Sequence, residues 1–184
     1  MIAYFINRRI KYNGLQIHSR WAFKQTGIVG ECIVAFIGSC NIPSKNIVDM
    51  DDLRKGAKIA SPSMLHFIIE FFELNLEKAI LHQRLFTAIV KDILTKKTER
   101  NLIRRGDDIY DGRAKLSISI ATLTPVSSKI HFGINIESHG TPVKTRGLKD
   151  YNIPPKQFAN EVMKAYVREI KSMTKARYKV RSVS

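Results

Sequence analysis

The chain has 184 residues, 44% hydrophobic and 26% charged, which excludes a disordered chain and allows a single domain with a substantial core. Lysine and arginine number 31 against 16 acidic residues, a formal charge of +15, and such a field draws in nucleic acid or phosphate-bearing ligands. No apolar run approaches a membrane span, and Met1 to Arg9 places apolar residues before charges, the reverse of a signal peptide, so a cytoplasmic protein is expected.

The N-terminal third predicts strands: Ile2 to Ile6, Ile10 to Ile17 around an Asn13-Gly14 hairpin turn, and a buried strand between Gly30 and Gly38. A further short strand is expected at Ile47 to Met50. Cys32 and Cys40 fall in the same strand region, too far apart to bridge. Each reads either as a small buried hydrophobe or as a nucleophile. Neither the cysteines nor the five histidines have metal-motif spacing, so no structural zinc is expected.

The middle predicts helices. Ser61-Pro62 has the pattern of an N-cap followed by proline at the first helical position, opening a short helix to Phe72. Asn75 caps a longer helix whose buried face takes in Leu76, Ala79, Ile80, Leu85, Phe86, Ile89, Val90, Ile93 and Leu94. Pro154-Pro155 starts a last helix with Phe158, Val162, Tyr166, Ile170 and Met173 along one side. From Lys144 to Arg181 eleven basic residues face three acidic ones, and a basic tail is expected from about residue 174 to 184.

Between these helices lies the most informative stretch, Gly106-Asp107-Asp108-Ile109-Tyr110-Asp111-Gly112-Arg113-Ala114-Lys115, which leads into Leu116-Ser117-Ile118-Ser119-Ile120. Strict alternation would give Lys115, Ser117, Ser119 and Ala121 one face and Leu116, Ile118 and Ile120 the buried one. A second alternating run, Ile130 to Glu137, predicts a hairpin partner. A register with Ser119 near Asn135 and Ala121 near Gly133 would leave a hollow rimmed by Lys115, Ser117, Ser119, His131 and Asn135. The order of strands, helices, hairpin and helix predicts an α+β fold, a largely antiparallel sheet with helices on one face.

Asp107-Asp108-Ile109-Tyr110 through Lys115-Leu116-Ser117 resembles the Asn-Asp…Lys-Leu-Ala-Gly segment of biotin and lipoate protein ligases, and His131-Phe132-Gly133-Ile134-Asn135-Ile136 resembles the Gly-Ile-Asn-Val strand that follows it there. The whole chain, through Val34-Ala35-Phe36, Met64-Leu65-His66-Phe67-Ile68 and Leu116 to Thr122, is identified as a member of an archaeal and bacterial domain-of-unknown-function family. The ligase resemblance implies a class II synthetase-like fold over residues 1–184 and a ligase or acyltransferase acting on a small carboxylate or nucleotide. It implies that Lys115 is the catalytic, anion-stabilising cation, that Asp108 and Asn135 lie at a nucleotide–metal site, and that ATP and Mg²⁺ are the cofactors. Ser117, Ser119, His131, Gly133 and Asn135 would position the substrate, with Arg20, Arg113, Lys144 or Arg146 reaching phosphate. Three departures stand beside it: no Gly-Arg-Gly-Arg loop occurs, Ile118 replaces the glycine after Lys-Leu-Ala, and Asp107 replaces asparagine. The alternative is a nucleic-acid-binding protein on the same fold, using the basic C-terminal segment with Tyr166 and Tyr178.

Overall fold

The computed structural model describes residues 1–183. Twelve elements follow in chain order: β1 (Ile2–Phe5), α1 (Trp21–Thr26), β2 (Cys32–Ile42), α2 (Met50–Arg54), β3 (Ile59–Phe71), α3 (Leu76–Thr98), β4 (Ile103–Arg105), β5 (Asp108–Asp111), β6 (Ala114–Lys115), β7 (Ser117–Leu123), β8 (Ser128–Asn135) and α4 (Pro155–Lys179). A five-stranded sheet has the order β1-β2-β3-β8-β7, with only β1 and β2 parallel, and a small sheet joins β4, β5 and β6. This is an α+β fold with α3 and α4 on one face of a mixed, mainly antiparallel sheet.

Away from Ser117 and Ser119 at its β7 edge, that face is apolar. Leu65, Phe67 and Ile69 of β3 and Ile130, Phe132 and Ile134 of β8 pack against Phe86 and Val90 of α3 and Phe158, Val162 and Tyr166 of α4. Phe86 makes edge contacts with Phe67, Phe132 and Tyr166, aromatic pairs that add to simple area burial. The opposite face is covered by the N-terminal segment, where Ile6, Tyr12, Ile17 and Ala22 pack on Cys32, Val34, Phe36, Met64 and Ile68.

Several expectations are corrected. The segment after Ser61-Pro62 is strand β3, not a helix. Its residues from Ser63 to Phe71 are buried on both sheet faces, and such a run has no polar period to separate strand from helix. Pro62 sits where the β2–β3 register jumps between Gly38 and Cys40, a bulge at which a missing N–H is tolerated. Ile47 to Met50 is not a strand: it links a 3₁₀ turn at Ser44–Asn46 to α2, whose N-cap Asp49 accepts from the amides of Asp51 and Asp52. Gly14 opens a 3₁₀ turn at Leu15–Ile17 with φ of +92°, and only Tyr12 of that region bridges β2. Asn75 does cap α3 by accepting from Lys78, but Leu76 and Ile80 lie outside the buried face, which uses Ala79, His82, Gln83, Phe86, Thr87, Val90 and Leu94 instead. α4 runs on as helix through Lys179, so most of the expected basic tail is helical, and Met173 is exposed rather than packed.

The hairpin register also differs. Ser117 pairs with Ile134, Ile118 with Gly133, Ser119 with Phe132, Ile120 with His131 and Ala121 with Ile130. Ser117 and Ser119 therefore share the helix-side face, while Ile118 and Ile120 share the other with Gly133 and His131. The cause is a break in the strand at Leu116, where the chain leaves the small sheet for the large one. The Leu116 amide donates to Ile109 and its carbonyl accepts from Asn135. Leu116 and Ser117 are both turned inward, so period-two alternation does not cross this point.

Candidate functional site

On the face away from α3 and α4, a cavity of about 410 Å³ opens beneath the N-terminal segment and the 42–61 connection. Ile17, Ile42, Met64, Ile118 and Ile120 give it apolar walls, and the stacked rings of Tyr12 and His131, 3.7 Å between centroids, line one end. At the other end stand Lys115, Asp108, Asn135 and Thr145. The β3 bulge lets both Ser61 and Met64 reach the cavity although they are an odd number of positions, three, apart along the strand.

Lys115 is held by its backbone before its side chain acts. Its amide donates to the Lys144 carbonyl and its own carbonyl accepts from Arg146, tying β6 to the 144–146 loop. The ammonium lies 2.6 Å from Asp108, with 29% of the side chain exposed. Burial alone would depress the Lys115 ammonium, but the Asp108 carboxylate outweighs it and holds the lysine above its ordinary value. Burial lifts Asp108 above the usual carboxylate range, offset only in part by Lys115 and by the Ser117 hydroxyl. Asn135 is buried at the same end, and no side chain bonds its amide among the described residues.

Of the remaining carboxylates on the cavity, Asp52 has no side-chain partner among the described residues, while Asp49 and Asp107 are engaged. Asp49 caps α2, and Asp107 meets Arg84 and accepts from Gln83 and Ser119. Among the described residues no group of three or more His, Cys, Asp or Glu is placed to hold a metal ion. A nucleotide-borne Mg²⁺ that keeps its waters needs only one or two carboxylates, which Asp108 is placed to supply.

His66 and His131 form a buried pair at the ring end. His66 Nδ1 is 3.1 Å from His131 Nε2, and His66 Nε2 is 3.3 Å from the Gly38 carbonyl. Burial depresses both imidazoles, His66 to about 3, so both are neutral in the fold. Gly133 is the small residue this pair needs: a Cβ there would sit 2.9 Å from Met64 Cε and 3.3 Å from the His131 ring.

The structure thus brings Lys115, Asp108, His131 and Asn135 to one cavity, with Gly133 beneath the His131 ring. Ser117 and Ser119 touch it only over the β7 edge: Ser117 accepts from the Ile109 amide, and Ser119 bonds Gln83 of α3 at 2.7 Å. Arg20 is exposed at the start of α1 and Arg113 is exposed in the β5–β6 turn; neither lines the cavity. Arg146 is held by Asp111 at 3.1 Å, and Lys144 is exposed. The sequence reading missed the walls from Tyr12, Ile42, Asp52, Ser61 and Met64, for which no local motif gives a signal. Ile118 and Ile120, read as core, are cavity wall.

The same fold and related sequences occur in other proteins. The family model for the domain of unknown function DUF366 matches residues 1–181. An uncharacterised protein of Methanocaldococcus jannaschii is 34% identical over 92% of this chain and 80% of its own length. A solved protein of unknown function from Pyrococcus horikoshii superposes with a TM-score of 0.94 at 40% identity, over 100% of this chain and 99% of that one. The fold reaches further: a biotin protein ligase mutant from Aquifex aeolicus, solved in complex with biotin, matches with a TM-score of 0.61 at 13% identity, over 93% of this chain and 70% of its own. The chain belongs to the DUF366 family and has the biotin ligase fold.

Proposed function

We propose that the chain binds a small carboxylic acid with an apolar body, as a ligase or acyltransferase would before acyl transfer. The observation that carries this reading is the Lys115 ammonium, half-buried and backbone-anchored, in a cavity that also has apolar walls from Ile17, Ile42, Met64, Ile118 and Ile120. An ammonium has three N–H donors, and Asp108 leaves others free for an incoming carboxylate. Asn135 would add a donor, and Ile118 and Ile120 would carry the body. A negative charge developing on an acyl group at this end would be stabilised by the same ammonium. The likeness in fold to a biotin-bound ligase supports a small acid as ligand. If the acid is activated with ATP, Asp108 is the residue that would meet its Mg²⁺.

The test is calorimetric titration with biotin, lipoate and C8–C12 alkanoates, with and without Mg·ATP, alongside a pyrophosphate-release assay. Lys115→Ala should weaken the acid that binds by about 1.5–3 kcal/mol, the range for hydrogen bonds to charged groups. Binding that Lys115→Ala leaves unchanged, or no binding of any acid, refutes the reading.

A second reading rests on α4. Lys171, Lys175, Arg177, Lys179 and Arg181 are exposed with no carboxylate among them, which favours a polyanion such as RNA. Its mark would be affinity that falls steeply with salt and that survives Lys115→Ala.

A further inference from the structure

The histidine pair fixes more than a ring position. A carbonyl oxygen only accepts, so the Gly38 contact requires the His66 proton on Nε2. In the neutral ring Nδ1 is then bare, and the 3.1 Å contact requires His131 to donate from its own Nε2. His131, neutral in turn, keeps a lone pair on Nδ1. No hydrogen bond reaches that nitrogen among the described residues, and it is not among the buried polar atoms sealed from solvent without a partner. The ring lines the cavity flat against Tyr12, at an interplanar angle of 10°, and its Nε2 bond to His66 fixes which edge it presents. The nearby Tyr12 hydroxyl can donate or accept and makes no selection; His131 Nδ1 can only accept.

Resting on the carboxylate reading above, we infer that the ligand carries an N–H or O–H donor at the end of its apolar body remote from its carboxylate, received by His131 Nδ1. The spacing follows from β8. Asn135 bonds the Leu116 carbonyl beside Lys115, and His131 lies four residues back along the strand, about 14 Å at ordinary strand rise. Between the two ends lie Ile118 and Ile120. The substrate class is an elongated acid with an apolar middle and a donor head. A simple fatty acid would leave the acceptor unpaired and is selected against.

The experiment compares 10-hydroxydecanoate, 10-methoxydecanoate and decanoate by calorimetry on the full chain. The hydroxy acid should bind about tenfold tighter than the methoxy acid, which offers only an acceptor, and tighter than decanoate. In His131→Phe, which keeps a ring on Tyr12, the preference should vanish while binding of decanoate persists. Equal affinities for the three acids in the wild type, or preference for the methoxy acid, overturn the inference and leave the carboxylate reading standing. If none of the three binds, the carboxylate reading falls, and ¹⁵N spectra of the histidines judge the acceptor directly. A protonated Nδ1 on His131 overturns the acceptor; a bare one leaves an acceptor with no acid to meet it, and the inference falls with the carboxylate reading.

Discussion

The two faces of the five-stranded sheet are built for different ends. The helix-side face is a continuous apolar layer of Phe67, Phe132, Ile134, Phe86 and Tyr166. The other face, formed by the same strands, carries two histidines, the buried Lys129–Glu70 ion pair, two free cysteines and a cavity. Buried polar groups are costly unless each is paired, so they belong where they do something besides fill space. The contrast assigns stability chiefly to the helix side and ligand chemistry to the other.

The strongest way to break that comparison is Phe132→Ala. Emptying the aromatic layer should cost about 3–5 kcal/mol in a denaturant titration; a loss below about 1 kcal/mol would mean the helix side is not the main source of stability. Next comes the ion pair. Lys129→Met leaves Glu70 buried, with only the Ser127 hydroxyl to meet it, and should cost about 3 kcal/mol or more, whereas Lys129→Met with Glu70→Met should recover most of the loss. Recovery would show a structural pair with no further duty.

The third effect is a pH dependence. Both imidazoles are neutral in the fold, with His66 held near 3, while unfolded histidine takes a proton near 6.5. Protons therefore favour the unfolded chain. Stability is full above about pH 6.5 and falls as pH drops toward 3, by up to about 1.4 kcal/mol per pH unit for each ring. His66→Phe should flatten this slope in melts at a series of pH values. An unchanged slope would place the titration elsewhere.

Much of this architecture is legible in the sequence. Asn75 and Pro154-Pro155 mark the starts of α3 and α4 because caps act locally. The hairpin's existence followed from two alternating runs, but its register did not, because the break at Leu116 depends on contacts with Ile109 and Asn135. β3 imitated a helix start since Ser61-Pro62 fits a cap as well as it fits a bulge. Lys115, Asp108, His131 and Asn135 were placed near one another by motif order, whereas Ser117 and Ser119 were turned to the wrong face. Arg20 and Arg113 were chosen for charge alone, which says nothing of direction.

α4 has one sequence but two environments. Through Tyr166 it is pinned to the core, yet from Lys171 to Lys179 every residue but Ala176 is exposed. Helix this short, without packing, is marginal in water, so its last turns open without disturbing the sheet. Amide exchange along α4 will therefore be split, slow at Val162 and fast at Arg177, and trypsin will find its first cuts among the lysines and arginines there. A clipped chain would lose its basic end and keep its cavity.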